Sequence, residues 1–379
     1  MEYIKNNVVT NKIVFVRADL NMPVIEGKLQ NFTKIYSAVE TLQKLIKNGA
    51  KVIIASHFSN SKQSTNILQE PLQRILGTKV HFCKHIVGPK RNTLIKQVNY
   101  GEIILLENLR FDAREVTNDM TFAMELMDCV NIYINEAFAV SHRCHASVVA
   151  AATIRRALIG QHHAQELKKI AEITKYKNTM AIVGGSKIDT KHNIVLKLLQ
   201  HCKTVAVGGS MAFAVINNPQ LKQQLEETAQ QNNCKLILPT DFVNADGQVE
   251  LTSNLTNSSQ ALDCGPQTIE AINKHLPNHD EVIFNGTLGK YEQEPFNKAT
   301  AEVLQRIADL TSNNLIKSFV GGGDTLEMLR RHNLSSSMSF ASVGGGAFLQ
   351  KLINAAMPGE LALLASYERY EQHKPNLNY

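Results

Sequence analysis

Residues 36–62, YSAVETLQKLIKNGAKVIIASHFSNSK, contain a helix, its stop, a strand and a polar strand end in one run. Val39, Leu42 and Leu45/Ile46 lie on one stripe at helical spacing, so 36–47 reads as an amphipathic helix. Asn48-Gly49 closes it, and KVIIAS follows without polar alternation. A strand apolar on every position is covered on both faces, which points to a parallel sheet between helix layers. The same cycle recurs outward. Upstream, Ile13–Val16 is a β-branched run ending in RADLNMP. Downstream come NILQEPLQRIL, KVHFC, GEIILLENLR, a helix containing MTFAMELM, and VNIYINEAF.

A second series follows: TMAIVGG, TVAVGG, KLILPTDFV, EVIFNG, IKSFVGGG and SFASVGGG. Between the two, residues 150–175 carry a continuous helical pattern with no Gly/Ser linker. The chain has 379 residues, more than one core usually absorbs. The expected fold class is therefore α/β. Two doubly wound lobes, each a mostly parallel sheet covered by helices, are joined by a long interdomain helix. The expected segments are 1–155, a connecting helix 156–177, 178–350, and a tail 351–379.

Composition narrows the function. The chain is 44% hydrophobic, and no window is long and apolar enough to span a membrane. Nor does the N-terminus read as a signal peptide, so a cytoplasmic location is expected. Cysteines 83, 129, 144, 202, 234 and 264 form no CxxC pair, so buried free thiols are expected rather than zinc clusters or disulfides. The net charge of +6 is dispersed. Its densest run, KHIVGPKRNTLIKQ, lacks the interleaved aromatics of a single-strand platform, so neither nucleic acid nor membrane is an expected partner.

In open parallel sheets, ligands bind beyond the carboxyl ends of the strands. In the first series those ends deliver Arg17, Asp19, Asn21, His57, Arg110, His142, Arg143 and His145. Such a gathering of cations is costly without an anionic partner, and arginine offers a fork to carboxylate or phosphate. In the second series four strands end at Gly184-Gly185, Gly208-Gly209, Gly321-Gly322-Gly323 and Gly344-Gly345-Gly346, each before a helical pattern. One such turn needs glycine merely to be tight. Four together favour backbone donors for a nucleotide's phosphates. None matches the P-loop or dinucleotide fingerprint. One lobe thus suits a small polyanion and the other a nucleotide, so the lobes must close to join them.

VRADLNMP, SHFSNSK, LLENLRF, NEAFAVSHRCHAS, AIVGGSKIDTKHNIVLKLL, VGGSMAFA, FNGTLGKYE, VGGGDT and SVGGGA, in that order, resemble the signature blocks of phosphoglycerate kinase across nearly the whole chain. The resemblance implies a monomer with an N-terminal 3-phosphoglycerate domain, a C-terminal nucleotide domain and hinge closure. It implies reversible transfer of the acyl phosphate of 1,3-bisphosphoglycerate to Mg-ADP, giving 3-phosphoglycerate and ATP without a phosphoenzyme. The final residues, beyond MPGE (Met357 to Glu360), would return to pack against the first lobe.

Carried over residue by residue, Asp19 and Asn21 hold the hydroxyl and carboxylate end of the triose. His57, Arg110 and Arg143 contact the acid or its phosphate, with Arg17, His142 and His145 in support. Lys187 lies near the transferring phosphoryl group, Lys191 grips nucleotide phosphates, and Asn285 belongs to a nucleotide-contacting block. Glu292 matches the ribose-binding acid. Asp324, with Thr325 beside it, holds Mg²⁺ through the nucleotide. Gly321, Gly322 and Gly323 belong to the same nucleotide site. Gly344, Gly345 and Gly346 present backbone donors at a helix start, Gly345 at the transferring group.

Two blocks depart from the family pattern. ITDDxRI appears as LQNFTKI, placing Lys34 where a catalytic arginine is expected. SHLGRPKG appears as SHFSNSKQ, placing Asn60 at a second arginine position. Lysine keeps the charge but not the planar fork, and asparagine keeps neither. A kinase weakened on its triose side is the expectation; a non-catalytic adenine-nucleotide-binding protein of the same family is the alternative.

Overall fold

The computed structural model describes residues 1–60, 62–173, 178–186, 191–255, 261–353 and 355–372, apart from the side chains of Asn6 and Asn7. Two compact units divide the chain: Met1–Lys168 with the chain from Ala356 onward, and Lys169–Ala355.

The sheet of the first unit contains β1 (Ile13–Arg17), β2 (Lys51–Ala55), β3 (Val80–Cys83), β4 (Ile103–Leu106), β5 (Ile132–Asn135) and β6 (Arg156–Ile159). They lie in the order β3-β4-β2-β1-β5-β6, every pair parallel. Successive side chains alternate between two separate cores, as the pleat requires. Val14, Val16, Val52, Ile54 and Leu105 enter one; Phe15, Ile53, Ala55, Ile104 and Tyr133 enter the other. Each fully buried Val, Ile, Leu or Phe among them contributes about 1.5–3 kcal/mol. The helix Thr33–Lys47 buries Ile35, Ala38, Leu42 and Leu45. It stops where Gly49, at φ +66°, donates its N–H to the Ile46 carbonyl.

The continuous helical pattern expected over 150–175 is broken by β6. A short helix, Ala150–Ile154, precedes the strand, and only Gln161–Ile173 forms the longer helix that passes from one unit to the next. Parallel pairing with β5 draws Arg156–Ile159 into the sheet, and the helix Pro358–Gln372 covers it. In that cover the Ala157 N–H donates to Ser366 Oγ at 3.0 Å. Farther along, Arg156 pairs with Glu2 and donates to the Tyr370 hydroxyl at 3.0 Å.

The second unit holds β7 (Thr179–Val183), β8 (Thr204–Val207), β9 (Lys235–Ile237), β10 (Glu281–Asn285), β11 (Lys317–Gly321) and β12 (Phe340–Ser342). Their order is β9-β8-β7-β10-β11-β12, all parallel, with the strand order reversing between β7 and β10. KLILPTDFV is not one strand. Pro239 has no N–H to donate, so β9 ends before it. Asp241–Val243 joins a separate antiparallel sheet with Val249–Leu251 and Asp263–Cys264.

All six cysteines are free, but Cys144 is exposed and Cys129 half-buried, so the expectation of burial fails at both. No described helix is long and apolar enough to cross a membrane.

Candidate functional site

In the first unit, β1 and the chain just beyond it supply Arg17, Asp19 and Asn21. Arg17 is buried, and each of its nitrogens is directed. Nε donates to Ser147 Oγ at 2.7 Å, Nη1 to the Ala18 carbonyl at 2.5 Å, and Nη2 to His57 Nδ1 at 3.2 Å. Arginine only donates, so His57 Nδ1 is the acceptor and its proton sits on Nε2. Burial, and then Arg17, push His57 well below its ordinary value, which keeps it neutral. Behind Arg17 the buried Glu115 accepts from the Ser147 hydroxyl at 2.6 Å and its N–H at 2.9 Å. Ser147 therefore links an arginine to a carboxylate, which gives the buried charge a partner.

Around this anchor the positive charge is incompletely balanced. Arg110 Nε is buried with no hydrogen-bond partner. Burial lowers Arg110, and Arg143 and Arg17 lower it further. Arg143 donates to His142 Nε2 at 3.5 Å. His142 and His145 are each held at about 4, by burial first and then by neighbouring arginines, so both are neutral at physiological pH. Asp19 meets Lys34 Nζ at 2.5 Å. Burial raises the Asp19 carboxyl, but the charge and hydrogen bond of Lys34 outweigh it and hold the group at about 2. Asn21 and Ser59 bond reciprocally, at 2.8 and 2.9 Å. Asn60 is exposed and its side chain accepts from the Lys62 N–H at 2.9 Å, closing its own turn instead of joining the cluster.

In the second unit the site lies where the strand order reverses. Lys191 Nζ donates to the Gly184 carbonyl at 2.5 Å and to Asn285 Oδ1 at 3.3 Å. Burial lowers Lys191 to about 8, against the pull of Asp324. Asn285 Nδ2 is buried and has no partner. Lys187 lies outside the described residues.

Some of the glycine amides are taken up inside the lobe itself. Gly184 and Gly185 donate to the Asn285 and Thr287 carbonyls, Gly208 to Val183, Gly286 to Thr325 Oγ1, and Gly344 to Ser342 Oγ. Here glycine permits close backbone approach. A Cβ on Gly286, at φ +90°, would stand 2.2 Å from the Gly184 oxygen. One on Gly209, at φ +68°, would stand 2.7 Å from the Gly185 oxygen. Gly321 ends β11, and Gly322, at φ +106°, caps the helix Gly323–Arg331. That helix carries Asp324 in its first turn, where the helix dipole favours a carboxylate. Gly345, at φ +51°, caps the seven-residue helix Gly346–Leu352.

The family model described as phosphoglycerate kinase matches residues 4–354. The chain belongs to the phosphoglycerate kinase family. A phosphoglycerate kinase of Wolbachia sp. subsp. Drosophila simulans (strain wRi) is 34% identical over 95% of this chain and 98% of its own. That of Orientia tsutsugamushi (strain Boryong) is 34% identical over 95% and 97%. The solved phosphoglycerate kinase of Coxiella burnetii superposes with a TM-score of 0.76 at 29% identity, covering 96% of this chain and 98% of the other. That of Pyrococcus horikoshii OT3 gives 0.83 at 26%, covering 97% and 100%.

Phosphoglycerate kinase chemistry calls for a divalent cation shared with the nucleotide. Among the described residues no three His, Cys, Asp or Glu side chains form a metal-binding group. The donor set is the single exposed carboxylate of Asp324. It fits Mg²⁺, which takes one or two protein carboxylates and completes its shell with substrate phosphates and water. Glu292 is exposed. Its neighbour Tyr291 was not legible as a site residue. Its hydroxyl donates to Asp324 Oδ1 at 3.1 Å, a contact across 33 positions that no local pattern announces.

Proposed function

We propose that this chain catalyses reversible phosphoryl transfer between 1,3-bisphosphoglycerate and Mg-ADP, giving 3-phosphoglycerate and Mg-ATP, by direct in-line transfer after the lobes close. The observation carrying this reading is the group of Arg17, Arg110 and Arg143 with the neutral His57, which holds more positive charge than its own carboxylates answer. A triose carboxylate and phosphate supply the missing anions. Arg110 and Arg143 bind them, supported by Arg17, His142 and His145. His57 offers its Nε2–H, and Asp19 and Asn21 orient the hydroxyl and carboxylate end. Lys191, Lys187 and Asn285 hold nucleotide phosphates and Glu292 the ribose, with Thr325, Gly321–Gly323 and Gly344–Gly346 shaping the site.

Transfer needs alignment and charge stabilisation more than proton removal, because the acceptor oxygen is already anionic. Lys34, Lys187 and the Gly345 turn serve that step. Asp324 would hold Mg²⁺ with the nucleotide, and the bound ion would neutralise phosphate charge there. Lys34 and Asn60 lower turnover. Lys34 is engaged by Asp19 and lacks a fork, and Asn60 brings no charge.

The test is 3-phosphoglycerate-dependent ADP formation from Mg-ATP by the purified chain beside Lys34→Arg and Asn60→Arg. Turnover requiring both Mg²⁺ and 3-phosphoglycerate is expected. ADP binding without turnover in all three proteins would replace the enzyme by a nucleotide-binding protein.

A further inference from the structure

Tyr291 occupies the loop that follows β10, and that loop is fixed at its base. Lys290 donates its N–H to the Leu262 carbonyl at 2.8 Å, tying the loop to the antiparallel sheet. Tyr291 then lies along the helix Gly323–Arg331. At the start of the helix its hydroxyl donates to Asp324 Oδ1 at 3.1 Å. At the end of the helix Arg331 Nη1 donates to the Tyr291 carbonyl at 3.1 Å, with the guanidinium 5.5 Å from the ring centroid. Arg331 is itself braced by Glu327, one turn back, at 3.0 Å. The ring is therefore held independently of the carboxylate it reaches. Asp324 is exposed, and Tyr291 OH is the side-chain donor on its Oδ1.

The geometry points to Tyr291 as the positioning residue for the Asp324 carboxylate, fixing Oδ1 so that Oδ2 faces the cation of the Mg-nucleotide. An unheld carboxylate on the first turn of a helix samples several rotamers and gives up that freedom when a cation binds. A hydrogen bond to one oxygen removes part of that loss in advance and leaves the charge intact, as outer partners of metal ligands do. Phenylalanine would keep the ring under Arg331 and lose only this hydroxyl. The inference rests on Asp324 as the Mg-nucleotide carboxylate, so the experiment separates the two.

ADP binding to the full chain is measured by calorimetry with excess Mg²⁺ and again with EDTA, for the native protein, Tyr291→Phe and Asp324→Ala. Mn²⁺ replaces Mg²⁺ in a parallel paramagnetic-resonance titration. Tyr291→Phe is expected to weaken metal-ADP binding about two- to tenfold while metal-free ADP binding and the melting temperature stay unchanged. In turnover assays KM for Mg-ATP rises by the same factor. An equal loss with and without metal shows a structural role and overturns the inference. So does an undiminished metal enhancement in Tyr291→Phe when Asp324→Ala has lost it, an outcome that leaves the Asp324 reading intact. If Asp324→Ala keeps the enhancement, the assignment of Asp324 falls and the positioning role with it.

Discussion

The strand ends of the two lobes are held in place by opposite means. At the strand ends of the first, side chains do the work. Arg17 is anchored through Ser147 to Glu115, His57 is kept neutral, and Arg110 stands beside Arg17 and Arg143. At those of the second, the main chain does it. Gly184-Gly185, Gly209 and Gly286 bring three backbone segments into contact, and Lys191 is the described cation set among them. The first lobe stores like-charge repulsion, whereas the second stores backbone conformations that only glycine holds at low cost. Sensitivity to mutation should differ accordingly: lost charge matters most in one lobe and an added methyl group in the other.

Gly286→Ala is the strongest test of that contrast. Its Cβ collides with the Gly184 oxygen at an unfavourable φ, and stability should fall by about 3 kcal/mol. ADP affinity should fall with it, both read by urea unfolding and calorimetry; a tolerated alanine breaks the comparison.

Arg110→Met tests the other side. The methionine keeps much of the apolar stem, so KM for 3-phosphoglycerate should rise about 10- to 100-fold. The ligand-free protein should meanwhile gain about 0.5–1 kcal/mol as the repulsion is removed. A destabilised variant would show that no repulsion was stored.

Lys34→Arg should sharpen the picture by raising turnover about three- to tenfold, because the planar fork returns. Unchanged turnover would show that Lys34 reaches its partner as well as arginine does.

The smallest effect is a proton. Lys191 is lowered to about 8 in the folded chain. Between there and the unfolded value of 10.5 the unfolded state binds more protons, so this group makes stability rise with pH in that window. A phosphate bound beside Lys191 would restore the charge. At pH 8.5, ADP binding should therefore take up a fraction of a proton, read from calorimetry in two buffers of different ionisation enthalpy. Lys191→Arg should abolish the uptake.

Much of this was visible in the residue order, because uninterrupted apolar strands and polar strand ends are local patterns. KVIIAS became β2, and Arg17, His57 and Arg110 do stand at or just beyond strand ends. What stayed hidden depends on distant partners. Arg156–Ile159 looks helical until β5 and the helix Pro358–Gln372 claim it. Glu115 stands apart from the signature residues it supports, and only folding places it behind Ser147. The glycine turns were legible as turns, but that the Gly184, Gly185 and Gly208 N–H groups are taken up inside the lobe was not.

The division of the chain also bears on its synthesis. The first unit combines Met1–Lys168 with the much later helix Pro358–Gln372, which covers β6. At ordinary elongation rates roughly 10–40 s separate the emergence of β6 from that of its cover. The second unit, whose residues are contiguous, emerges whole within that interval. The second unit is thus complete as a folding unit first, while the first still lacks its last helix.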